Sequence, residues 1–122
     1  MARAKKRVLI VEDERPLAEA LKTKLLSAGF AVVVAGDGRV GVQKIEEQKF
    51  DIVLLDLIMP GLDGVGFLKA IKQKGVHVPV IVLTNLDQDS GMFNLDFENV
   101  KDYLVKSDYS ITKIIDKINN FL

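Results

Sequence analysis

Five short aliphatic runs, rich in β-branched residues, recur along the chain, and the stretches between them carry helical periodicity. The runs are Arg7 to Val11, Ala31 to Ala35, Ile52 to Leu55, Val78 to Leu83 and Tyr103 to Val105. They read as almost continuously apolar rather than alternating, the pattern of strands covered on both faces. Between them, Leu17, Leu21, Leu25 and Ala28 form one stripe of a helix that follows Pro16 and is stopped by Gly29. The spacing predicts further helices over about Arg39 to Gln48 and Val65 to Lys74, and a last one carrying Ile111, Ile114, Ile115, Ile118 and Phe121 or Leu122. A fourth helical segment, Asp87 to Asn99, is expected to be short or mobile, because Gly91, Asn94 and three aspartates leave little to bury. Alternating β and α elements with short connections predict an α/β chain: a five-stranded parallel sheet, doubly wound, with five helices.

No low-complexity linker divides the 122 residues, so residues 1–122 are read as one domain, with 1–6 a basic flank. A chain of this size buries roughly two thirds of its unfolded surface and needs no metal or disulfide to hold a core. Absence of cysteine excludes disulfides and thiolate sites. Seventeen basic side chains balance 17 acidic ones, which argues against broad binding of nucleic acid or of an anionic membrane. Behind the basic flank the apolar run Val8 to Val11 ends at Glu12-Asp13-Glu14, too short for a signal peptide, and no stretch approaches the roughly 20 apolar residues of a membrane span. The expected location is therefore cytoplasmic.

In a sheet of this kind, sites lie outside the carboxyl ends of the strands. Glu12 and Asp13 follow the first run and Asp56 follows the third. Singly, each is an ordinary capping or turn residue. Together, on neighbouring strands, they repel unless protonated or bridged by a cation, and a hard divalent ion such as Mg2+ suits such oxygen ligands. Thr84 closes the fourth run with a hydroxyl and Lys106 the fifth with an ammonium. This set can hold a phosphoryl group, with Asp56 as the natural nucleophile.

Four segments surround these strand ends: Val8-Leu9-Ile10-Val11-Glu12-Asp13-Glu14, Asp56-Leu57-Ile58-Met59-Pro60-Gly61-Leu62-Asp63-Gly64, Val78-Pro79-Val80-Ile81-Val82-Leu83-Thr84 and Asp102-Tyr103-Leu104-Val105-Lys106. In these segments and their spacing the chain resembles, from about Lys6 to Leu122, a receiver domain of two-component response regulators. The resemblance implies a flavodoxin-like fold with strand order 2-1-3-4-5. It implies Mg2+-dependent transfer of phosphate to Asp56 from a histidine kinase or a histidine phosphotransfer protein. It also implies metal ligation by Asp13, by Glu12 through water, by Asp56 and by the backbone carbonyl of Ile58. Thr84 and Lys106 would grip phosphoryl oxygens, and Tyr103 matches the aromatic switch position. Glycine at 61 and 64 is expected to allow positive φ in the loop beside the nucleophile, and Asn99 to act as a left-handed helix cap.

Some residues depart from that pattern. Ser107 stands where the family mostly has proline with a cis bond, which leaves the geometry of the bond after Lys106 open to either cis or trans. Asn85 replaces a small residue beside Thr84 and is expected to crowd the approach of a phosphodonor. Ile58 and Leu86 are apolar at positions that shape water access, which predicts slow loss of phosphate from Asp56.

The chain is expected to act as a stand-alone receiver or as a piece of something longer. It would pass its signal by contact with an unknown downstream protein through the fourth helix, fifth strand and last helix, with Ser90 to Asn99 as the switching element. It is expected to be a monomer or a phosphorylation-dependent homodimer, to bind no nucleic acid directly, and to have no enzymatic substrate beyond its own phosphorylation and dephosphorylation. A phosphate-independent interaction module is the alternative. An aspartyl-nucleophile phosphatase would want an aspartate where Ile58 stands, and a nucleotide-binding module would want a glycine-rich loop after the first strand. His77, the sole histidine, is read as a loop residue.

Overall fold

The computed structural model of the chain describes residues 5–59, 61–85 and 97–122. Its strands are β1 Arg7–Val11, β2 Ala31–Ala35, β3 Ile52–Leu55, β4 Val80–Thr84 and β5 Val100–Val105. They form a parallel sheet in the order β2-β1-β3-β4-β5, as expected. The helices are α1 Arg15–Ser27, α2 Gly38–Glu47, α3 Gly64–Gln73 and α4 Ile111–Asn120. The expected helix over Asp87 to Asn99 lies, except for 97–99, outside the described residues, as do Pro60 and Leu86.

Apolar residues on every strand feed two cores because successive side chains point to opposite faces. Val8, Ile10, Ile52, Leu54, Ile81, Leu83 and Leu104 pack with Leu21 and Leu25 of α1 and Ile114, Ile115 and Ile118 of α4. Leu9, Val11, Val53, Leu55, Val80 and Val82 pack on the other face against Phe67, Leu68 and Ile71 of α3, with Val40, Val42 and Ile45 of α2 alongside. Each fully buried aliphatic or aromatic side chain contributes roughly 1.5–3 kcal/mol. The double burial accounts for the unbroken apolar runs.

Three helices begin at side-chain caps: Asp37 Oδ1 accepts from the Val40 N–H at 2.9 Å, Asp63 Oδ1 from Gly66 at 2.8 Å and Ser110 Oγ from Lys113 at 3.2 Å. Gly29, at φ +95°, follows the end of α1 as expected. Gly61 takes the expected positive φ, +75°. Gly64 does not. It is the first residue of α3, and glycine is required there by close approach, since a Cβ would lie 2.5 Å from both the Asp56 carbonyl oxygen and Leu57 Cα.

Three further expectations are corrected. The fourth strand starts at Val80 rather than Val78. The fifth starts at Val100 rather than Tyr103, because pairing with β4 extends it through the polar residues Lys101 and Asp102, which an apolar run does not reveal. Asn99 is not a left-handed cap, because no non-glycine residue among those described has positive φ. It is buried instead, its side-chain amide donating to the Val78 carbonyl at 3.2 Å and its carbonyl accepting from the Val80 N–H at 2.8 Å. Those bonds tie the start of β5 to β4, just where their register shifts between Val80 and Ile81.

Candidate functional site

Register brings the acids together. Val11 pairs with Leu55 across β1 and β3, so the next residues, Glu12 and Asp56, leave the sheet side by side. The ladder continues one step beyond the strands: the Asp56 N–H donates to the Val11 carbonyl at 2.9 Å and the Glu12 N–H to the Ala35 carbonyl at 3.0 Å. Carboxylate oxygens of Glu12, Asp13 and Asp56 lie within 4.8 Å of one another. Glu12 and Asp56 are buried despite their charge.

Among the described residues, the ammonium of Lys106 answers them. Lys106, at the end of β5, opens a 3-10 turn over Lys106–Asp108. Its Nζ lies 2.6 Å from Glu12 Oε1, 3.3 Å from Asp56 Oδ2 and 3.4 Å from Glu14 Oε2. The bond from Lys106 to Ser107, left open by the sequence, is trans.

Burial pushes the Glu12 carboxyl up to about 7, assisted by the hydrogen bond and charge of Asp56 and opposed by Lys106. Burial disfavours the charge on Lys106, but its hydrogen bond to Glu12 and the charges of Asp56 and Glu12 outweigh it and leave the ammonium above its ordinary range. The cluster thus has more negative charge than one lysine can neutralise, and it partly relieves the excess by holding a proton. A divalent cation would relieve it more fully, and three carboxylates at this spacing are a donor set of the hard oxygen type that Mg2+ prefers.

The remaining expected residues stand around this cluster. Ile58 donates its N–H to Asp56 Oδ1 at 3.1 Å, which fixes the carboxylate, while its side chain is 55% exposed. Ile58 and Asn85 help line a cavity of about 170 Å3 with Asp13, Glu14, Asp56 and Lys106. Thr84 is the last residue of β4 and fully buried. Tyr103 pairs with Val82, two residues before Thr84, and packs half-buried on the α2/α3 face of the sheet, with its hydroxyl raised by burial. By register Thr84 and Tyr103 are diagonal neighbours on one face of the sheet. His77 falls on the loop between α3 and β4, at the opposite edge of the sheet, with Nδ1 3.6 Å from an exposed Glu98 carboxylate.

Sequence reasoning did not single out Glu14. Glu14 appears only as part of an acidic run, yet its carboxylate reaches Lys106, 92 positions away. The signal was the third acid in Glu12-Asp13-Glu14, but an exposed carboxylate after a strand is too common to single out.

Among the described residues, no helix is long and apolar enough to cross a membrane. Residues 8–119 match the family model described as the response regulator receiver domain. The transcriptional regulatory protein DltR of Streptococcus agalactiae is 38% identical over 101 residues, which is 82% of this chain and 45% of that protein. The chain therefore spans less than half the length of this curated relative. Among solved structures, the receiver domain of the Francisella response regulator 1452 superposes with a TM-score of 0.85 at 31% identity, covering 96% of each chain. The response regulator TrrA of Thermotoga maritima, solved in complex with Mg2+ and BeF, superposes with a TM-score of 0.82 at 29% identity, covering 96% of this chain and 99% of that one. Strand order, the acids at the sheet's carboxyl edge and a family match over nearly the whole chain agree, and the chain belongs to the response regulator receiver domain family of two-component systems.

Proposed function

We propose that this receiver accepts a phosphoryl group on Asp56 from a histidine kinase or a histidine phosphotransfer protein, and that the modified domain is read by a downstream protein partner. The observation that carries this reading is the approach of three carboxylates to within 4.8 Å of one another, with the Lys106 ammonium 3.3 Å from Asp56. A structural ion pair needs one carboxylate for its lysine, whereas a phosphoacceptor needs surplus charge that a cation can neutralise.

Asp13, Asp56, the Ile58 carbonyl and, through water, Glu12 would hold Mg2+. When bound, the ion supplies charge neutralisation for donor and acceptor, two anions that otherwise repel. The chain's own residues do the rest. The Ile58 N–H holds Asp56 through Oδ1, and Oδ2, which Lys106 contacts at 3.3 Å before transfer, attacks phosphorus as the ammonium passes to a phosphoryl oxygen. As the Oδ2–P bond forms, the donor's P–N bond breaks, and its electron pair stays on the leaving imidazole nitrogen, which takes a proton. Lys106 and the Thr84 hydroxyl then hold phosphoryl oxygens. Movement of Thr84 toward the phosphoryl group opens space beside Tyr103 on the same sheet face, which couples the site to the β5 surface.

The exposed, apolar side chain of Ile58 offers no hydrogen bond to an attacking water, which supports a long-lived phosphoryl group. The test is intact-protein mass after incubation with a small acyl-phosphate donor, with and without Mg2+, on wild type and Asp56→Asn. A Mg2+-dependent gain of one phosphoryl group, absent in the variant, is expected. No gain and no Mg2+ binding would instead favour a phosphate-independent interaction module.

A further inference from the structure

Glu14 occupies the N-cap position of α1, where a side-chain oxygen ordinarily accepts a hydrogen bond from the helix's first N–H groups. It makes no such bond. Its backbone N–H donates to Glu12 Oε2 at 3.3 Å, and its carboxylate turns across the site to Lys106 at 3.4 Å. The ammonium has three N–H donors, and three carboxylates surround it. They are not equivalent. The side chains of Glu12 and Asp56 are 3% and 6% exposed, that of Glu14 53%.

From this geometry, and resting on the phosphoacceptor reading above, we propose that Glu14 is a positioning residue for Lys106 that also selects among phosphodonors by charge. In the unphosphorylated chain it holds the ammonium at the mouth of the 170 Å3 cavity that it lines with Asp56 and Asn85. A phosphoryl group turns the singly charged Asp56 carboxylate into an acyl phosphate of roughly two negative charges, a net gain of about one, and brings three acceptor oxygens, which draw Lys106 inward. Glu14 is the partner released at least cost, because its exposed carboxylate is rehydrated as the contact breaks, whereas the two buried ones would be left unpaired. Until that moment Glu14 opposes transfer twice, by competing for Lys106 and by repelling an anionic donor at the rim. Repulsion scales with donor charge, so a dianionic donor is disfavoured more than one of lower net charge.

The experiment compares wild type, Glu14→Gln and Glu14→Ala in phosphorylation by acetyl phosphate and by phosphoramidate, which carries less negative charge, at saturating Mg2+ and at low and near-physiological ionic strength. Both variants are expected to react faster with acetyl phosphate by about threefold to tenfold at low salt, the range for one partly screened charge near a dianion. The gain should be smaller with phosphoramidate and should shrink with salt for both donors. A merely structural role would change the two donors alike and leave the salt dependence untouched, and that result overturns the proposal, as does a slower variant. If wild type is phosphorylated and the variants match it, this inference alone fails. If no protein gains phosphate from either donor, the acceptor reading fails and takes this one with it.

Discussion

Asp56→Asn should stabilise the metal-free protein while abolishing phosphorylation. The substitution removes one charge whose oxygens lie within 4.8 Å of those of Glu12 and Asp13. At an effective dielectric constant of about 20, each of those repulsions is worth about 3.5 kcal/mol when both partners are ionised, and the lost attraction to Lys106 about 5 kcal/mol. The balance is a net repulsion of about 2 kcal/mol, reduced where Glu12 keeps its proton. Asparagine retains the oxygen that accepts from the Ile58 N–H; its NH2 replaces Oδ2, and Lys106 keeps its contacts to Glu12 and Glu14. The expected gain is about 1–2 kcal/mol at about pH 8, which moves the urea midpoint by roughly 0.5–1 M.

The pH dependence has a definite sign. Folded, Glu12 holds its proton up to about 7; unfolded, it loses it in the ordinary carboxylate range. Between the two the folded chain binds more protons, so metal-free wild type loses stability as pH rises through that window. Asp56 causes part of the upward shift, so the slope should flatten in Asp56→Asn. Mg2+ should narrow or reverse the ranking, since at a hundred times its dissociation constant it stabilises wild type by about 2.7 kcal/mol and binds the variant more weakly. The assay is urea unfolding in chelator and in Mg2+ across that pH range. A metal-free variant less stable than wild type at about pH 8, or equal stabilisation of both proteins by Mg2+, would refute the reasoning.

Other outcomes follow from single contacts. Gly41→Val places a Cβ 3.0 Å from the Phe67 ring and 3.1 Å from a Val11 methyl, and should cost about 1–3 kcal/mol in chemical denaturation; an unchanged midpoint would mean that α2 shifts freely on the sheet. Asn99→Ala removes the amide that satisfies the buried Val78 carbonyl, and a loss of about 1–2 kcal/mol, with faster hydrogen exchange at the start of β5, is expected. Ile58→Asn, alone or with Leu86→Glu, should shorten the lifetime of the phosphorylated protein severalfold by giving water a polar guide, read as decay of the phosphorylated mass after donor removal. An unaltered lifetime in the double variant would sink the explanation from apolar neighbours.

Much of this molecule is legible in the chain itself. Periodicity alone separates strands from helices here, because strands buried on both faces carry unbroken aliphatic runs and the helices carry one apolar stripe. Strand-end positions for Glu12, Asp56, Thr84 and Lys106 follow from where those runs stop. Misplaced boundaries occurred where local pattern was weakest: β5 extends back through Lys101 and Asp102 because ladder pairing with β4, not side-chain hydropathy, holds that stretch.

The residue types, their order and the chemistry they can perform were determined by the sequence, since alternation and motif spacing are properties of the chain itself. Which side chains meet was decided only in three dimensions. Pairing of Val11 with Leu55 turns two acids 44 residues apart into neighbours. The same folding delivers Lys106 to Glu12, Asp56 and Glu14 at once, making Glu14 part of the site and raising the Glu12 carboxyl to about 7. Those properties depend on distance and on exclusion of water, and neither is encoded at any single position.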